Sequence, residues 1–177
     1  MTTATRPLLL LALVAALSAG CGNGNGNGNG AATAMSTDAK STSTRPSAAT
    51  LKATVRTAIN ANLQLSLYVL WHNRIPAWAT QSTRGPALKA LRSAATTRRR
   101  QGIQIKNLSG HHTVVSIALA PSYATATAVI RDQRRVAPYK SGHRLGKAIF
   151  GTEHSRIQLH RLANTQRFVV WRVSPIQ

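Results

Sequence analysis

The sequence predicts an α+β domain in which N-terminal helices pack on an antiparallel sheet. Two observations carry this. Apolar residues recur every fourth position from Leu51 to Trp71, and after Gly102 the apolar period drops to two. Helical signals come first and strand signals follow. That order fits segregated helices and strands rather than an alternating parallel sheet.

Leu51, Val55, Ile59, Leu63, Leu67 and Trp71 alternate with Lys52, Arg56, Asn60 and Gln64, an amphipathic helix that stops before Pro76. Ile75–Gln81 reads as a short turn or helix around Trp78. Pro86 opens a second helix, which presents Leu88, Leu91 and Ala95 and ends at Gly102. Arg98, Arg99 and Arg100 occupy its last turn, where cations complement the helix dipole.

Ile103 and Ile105 mark a first strand, and Val115, Ile117 and Leu119 a second that ends at Pro121, with Ser109-Gly110 read as a turn. Tyr123–Arg131 forms a third, lined by the short side chains of Ala124, Ala126 and Ala128. Such a lining fits an open pocket and close packing equally. A basic loop is expected from Arg134 to Gly151. Two last strands, Glu153–Leu162 and Arg167–Ile176, are joined as a hairpin by Ala163-Asn164-Thr165-Gln166. Ile157 and Leu159 should share a face with Val169, Trp171 and Val173, leaving Arg156, Gln158, His160 and Arg172 on the other.

Charge narrows the function. The chain has 23 Lys and Arg against 3 acidic residues, a formal net charge of +20. Such an excess repels its own copies and attracts polyanions. Divalent-cation sites need several carboxylate oxygens, and glycoside hydrolysis needs a carboxyl pair. Asp132 and Glu153, the only acids beyond Asp38, are a poor start for either. Asp132 is expected to make a surface ion pair with its arginine neighbours. His111-His112 points to opposite faces of a strand, so no metal, cofactor or catalytic residue is assigned. With aromatics at 5%, no base-stacking platform is evident, and nucleic acid would be held without specificity.

The first residues direct location. Leu8–Ala19 is an apolar run too short to span a bilayer, preceded by Arg6. Leu17-Ser18-Ala19-Gly20-Cys21 resembles the lipobox of bacterial lipoproteins, with Ser18 where a Leu is usual. The resemblance implies cleavage before Cys21, the only cysteine, and lipid attachment there. Residues 1–20 are then a signal peptide and residues 21–48 a tether, Gly/Asn-rich and then Ser/Thr/Ala-rich. Its r.m.s. reach is about 30 Å, enough for a head at residues 49–177 to clear the lipid headgroups. The expected location is the outer face of the cell membrane. There the available polyanions are lipid headgroups and cell-wall polymers.

Helices first, then a meander closing on Phe168-Val169-Val170-Trp171-Arg172-Val173, resembles the nuclear transport factor 2-like superfamily, including SnoaL-like domains. The resemblance implies a cone in which a curved antiparallel sheet wraps the long helix, often dimeric through the sheet. Pocket candidates under that fold are Tyr68, Trp78, Tyr123 and Trp171. The densest basic clusters, Arg98–Arg100 and Arg134-Arg135, are candidates for anion binding. The reading is a lipid-anchored protein that acts by binding rather than catalysis. The alternatives are a small-molecule enzyme of the same fold and a scaffold for other envelope proteins.

Overall fold

The computed structural model describes residues 46–176. The expected signal peptide, Cys21 and most of the expected tether lie outside them. Helix α1 spans Ala48–His72, a 3₁₀ helix spans Ala77–Gln81, and helix α2 spans Gly85–Gln101. Strands β1 (Ile103–Leu119), β2 (Thr125–Lys140), β3 (His143–Arg144), β4 (Ile149–Arg161) and β5 (Phe168–Pro175) follow. All pairings among these strands are antiparallel, in the order β1-β2-β4-β5 with β3 beside β2. The protein is therefore α+β, with its helices on one face of an open antiparallel sheet. No helix among the described residues is long and apolar enough to cross a membrane.

Ser47 caps α1 by accepting the Thr50 N–H at 3.1 Å. The helix buries Leu51, Val55, Ala58, Ile59, Asn62, Leu63, Leu65 and Val69. The expected stripe drifts at its C-terminal end, where Leu67 and Trp71 are only half-buried. Each four-residue step overshoots a helical turn by about 40°, so the six positions cannot all face one partner. The N-terminal half of α1 packs on the sheet with Ala126, Ala128, Ile130, Ile157, Leu159, Phe168 and Val170. Its C-terminal half packs instead on Ala79, Leu88 and Ala95.

The alanine strand lines no open pocket. Ala126 and Ala128 are buried in the helix–sheet core, so their short side chains let α1 approach the sheet. Asn62 crosses to the loop before α2, donating from Nδ2 to the buried Thr83 Oγ1 at 2.8 Å. Ser82 and Arg84 pair with Val170 through backbone hydrogen bonds of 2.8 and 2.9 Å. This segment covers the outer edge of β5.

Three expectations are corrected. The first two strands are one, β1, which runs through Ser109-Gly110 without a turn. Register shifts between Asn107 and Ser109 and between Val114 and Ser116 break its alternation, which is why the pattern reads as two pieces. The basic loop from Arg134 to Gly151 is mostly strand, because β2 runs on to Lys140 and β4 begins at Ile149. What remains is a tight turn at Ser141-Gly142, both at positive φ, and an excursion from Leu145 to Ala148. The β4–β5 hairpin forms as expected, but a register shift at Gln158/Leu159 places Val170 opposite Leu159. Trp171 is turned away from Leu159 and stacks on His160, with ring centroids 4.6 Å apart.

Candidate functional site

Strand register sorts the charges. Across β2 and β4 the pairs Ala126–Leu159, Ala128–Ile157, Ile130–Ser155 and Asp132–Glu153 fall on the helix-facing side. The alternating pairs Thr127–Gln158, Val129–Arg156, Arg131–His154 and Arg135–Phe150 fall on the outer side. Both acids of the described residues thus sit on the inner face. The outer face keeps only cations and neutral groups.

Arg131, Arg156 and Arg172 form a diagonal on that outer face, one each from β2, β4 and β5. Arg156 lies two residues beyond the partner of Arg131, and Arg172 pairs with Gln158, two residues beyond Arg156. Diagonal neighbours of this kind are about 7–8 Å apart, within reach of long side chains. All three are exposed, as is Arg135 on the same face. Sequence reasoning found Arg135 but missed Arg131, Arg156 and Arg172 as a group. Their shared parity was visible within each strand, whereas the diagonal exists only through cross-strand register.

The expected basic clusters divide on folding. Arg99 and Arg100 are exposed at the end of α2. Arg98 is only 8% exposed, and donates from Nε to Asn73 Oδ1 at 3.0 Å and from Nη2 to Val69 O at 3.2 Å. Desolvation by burial lowers its pKa from the usual guanidinium value. Its charge is turned toward the C-terminal carbonyls of α1, away from solvent. Arg134 faces inward and pairs through Nε with Asp132 Oδ2 at 2.6 Å. That pair is the expected one for Asp132, but the carboxylate lies on the inner face with its side chain 18% exposed, so it is no surface contact.

A polar recess of about 90 Å³ lies beneath α1, lined by Leu63, Gln64 and Leu67 from the helix and by Asn107, His112, Asp132 and Arg134 from β1 and β2. Asp132 Oδ1 and Asn107 Oδ1 are buried there without a hydrogen-bond partner. His112 reaches α1, its Nε2 lying 2.8 Å from Asn60 Oδ1; the amide oxygen only accepts, so Nε2 carries the proton. His112, Asp132 and Glu153 lie in one row across three strands. Among the described residues no three His, Cys, Asp or Glu side chains group as metal ligands.

The four aromatic candidates do not converge. Tyr68 packs at a tilt on His72 and meets Trp78 edge-on at 6.0 Å, with Arg74 donating to its hydroxyl at 2.9 Å. Tyr123 occupies the β1–β2 turn at positive φ and packs on the helix–sheet core. Trp171 lies against Gly85 and His160. None of the four lines the recess.

No protein-family model and no curated protein matches the chain. Solved structures do. The intermembrane space region of the chloroplast protein ARC6 superposes with a TM-score of 0.60 at 10% identity, covering 70% of this chain and 95% of that one. Aln2 from a Streptomyces species matches with a TM-score of 0.37 at 17% identity, covering 72% of this chain and 93% of that one. At such identities the likeness to ARC6 is one of fold alone: helices on an open antiparallel sheet.

Proposed function

We propose that this chain is a secreted, lipid-anchored binding protein with a nuclear transport factor 2-like head, held at the outer face of the cell membrane through Cys21. Its outer sheet face binds phosphate-bearing anionic components of the envelope. The observation that carries this reading is the diagonal Arg131–Arg156–Arg172 on a face without a carboxylate. Each arginine near an anionic surface contributes about 1 kcal/mol. Three act together because one rigid sheet presents them. A homodimer through the sheet would set these arginines against their copies, so the face is assigned to an anionic partner instead.

The test uses the full chain with Cys21→Ala, so that no acyl group contributes. Arg131→Gln, Arg156→Gln and Arg172→Gln together should weaken binding to vesicles of phosphatidylglycerol in phosphatidylcholine by about 100-fold. Added salt should weaken the unaltered face in the same sense. Equal retention by the triple variant, or binding indifferent to salt, would overturn the assignment.

A second reading rests on the recess. Two buried acceptor oxygens, Asp132 Oδ1 and Asn107 Oδ1, face one small cavity and suit a small ligand rich in hydrogen-bond donors. This is the small-molecule alternative, centred on Asp132 and His112 rather than on Tyr68 or Tyr123. Amide chemical shifts of β1 and α1 during titration with small amines and alcohols test it. Shifts confined to Asn107–His112 and Leu63–Leu67 would support it, and none would rule it out.

A further inference from the structure

The far end of the β2–β4 hairpin carries a second feature that the basic face does not use. The turn at Ser141-Gly142 and the excursion that follows place Lys140, Arg144 and Lys147 in solvent together with two large apolar side chains. Leu145 is 46% exposed and Phe150 67% exposed. Phe150 pairs with Arg135, which puts it on the same outer face as Arg131 and Arg156. Apolar tip and cationic face are therefore continuous.

A soluble surface has little reason to hold a phenylalanine so far in water, opposite Arg135 and at a hairpin end that also carries Lys140, Arg144 and Lys147. Val115, 60% exposed on β1, has no cation next to it along the strand, where Val114 and Ser116 flank it. Anionic lipid satisfies both halves of the tip at once. Headgroup phosphates take the lysines and arginine, and the interface between headgroups and acyl chains takes the apolar side chains. A hydrated wall polymer offers only the first.

We infer that this hairpin end inserts Leu145 and Phe150 into the headgroup–acyl boundary of an anionic bilayer, with Lys140, Arg144 and Lys147 on phosphates. The inference deepens the proposed function by naming the bilayer as the partner, and it rests on that reading.

The experiment again uses the full chain with Cys21→Ala. Leu145→Ser and Phe150→Ser should each lower partition onto phosphatidylglycerol-containing vesicles by about tenfold, the loss of one buried large apolar side chain. Val115→Ser should leave partition unchanged. In a second arm, Leu145→Cys in the same background carries an environment-sensitive fluorophore. On vesicles its emission should shift to the blue and be quenched by brominated acyl chains.

A water-like emission, together with full partition by both serine variants, would overturn the insertion. If the arginine triple variant still loses binding in that case, the basic-face reading stands alone and the partner is bound at its surface. Should neither set of variants change partition, both readings fall. Equal loss with Val115→Ser would mark general hydrophobic adhesion and also overturn the insertion.

Discussion

Arg98 Nε lies 3.0 Å from Asn73 Oδ1, and the two side chains together close the C-terminal end of α1. Asn73, at positive φ, returns its N–H to Val69 O at 3.0 Å and sends Nδ2 to Ile103 O at 2.6 Å. One arginine thus ties α2 to the end of α1 and, through Asn73, to the start of β1. Removing it leaves Asn73 Oδ1 unsatisfied in the interior and takes one of two donors from the Val69 carbonyl. Arg98→Ala should destabilise the fold by about 2–4 kcal/mol, whereas Arg99→Ala and Arg100→Ala should stay within about 0.5 kcal/mol of the parent. Urea unfolding of the three variants checks the contrast, and similar midpoints would refute it.

Ala128 is fully buried against α1. Added volume has no free space there. Ala128→Leu should cost about 1–3 kcal/mol, the usual penalty of overpacking a filled core. A neutral or stabilising result by thermal unfolding would mean the interior holds an apolar void.

Gly85 has a φ of +56°, and a Cβ there would fall 2.7 Å from the Trp171 ring. Backbone strain and a clash with a rigid indole act together. Gly85→Ala should destabilise by more than about 1 kcal/mol and alter the Trp171 environment. Gly142, with nothing near its Cβ direction, should show only the conformational cost on substitution by Ala. Near-ultraviolet circular dichroism separates the two: an unchanged aromatic signal in Gly85→Ala would contradict the contact.

Asn62 and Thr83 are a buried pair joined at 2.8 Å. Thr83→Val strands the amide donor and should cost about 1–3 kcal/mol, while the double change with Asn62→Leu should cost less than the sum. Strict additivity in the double-mutant cycle would show that the two do not act as a unit.

Net charge sets the response to salt. The chain carries +20, and among its described residues only Arg134 and Asp132 form an ion pair. Screening therefore removes mostly repulsion, so Tm should rise by a few degrees, about 1 kcal/mol, between low and physiological sodium chloride. A falling Tm would count against uncompensated repulsion as the dominant electrostatic force.

Much of the fold is legible along the chain. Pro86, Gly102 and the apolar spacing of α1 and α2 are local signals, and the Ala163–Gln166 hairpin follows from turn chemistry between two alternating runs. Less legible is the stretch from Asn107 to Gly151. Long edge and hairpin strands with one wet face carry few apolar residues, so Arg134–Lys140 resembles a loop in composition while pairing as strand. Tyr68 and Tyr123 read as pocket residues because helix and strand placed them near a cone, yet neither lines the recess.

Local sequence by itself determined the helices, the switch of period at Gly102 and the overwhelming positive charge, because each depends only on neighbours along the chain. Tertiary structure alone decided which arginines meet solvent. Arg98 is drawn under the end of α1, Arg134 turns inward to Asp132, and Arg131, Arg156 and Arg172 align outward. Their fates differ because strand register and helix packing join residues that are far apart in the chain. No local pattern specifies that pairing.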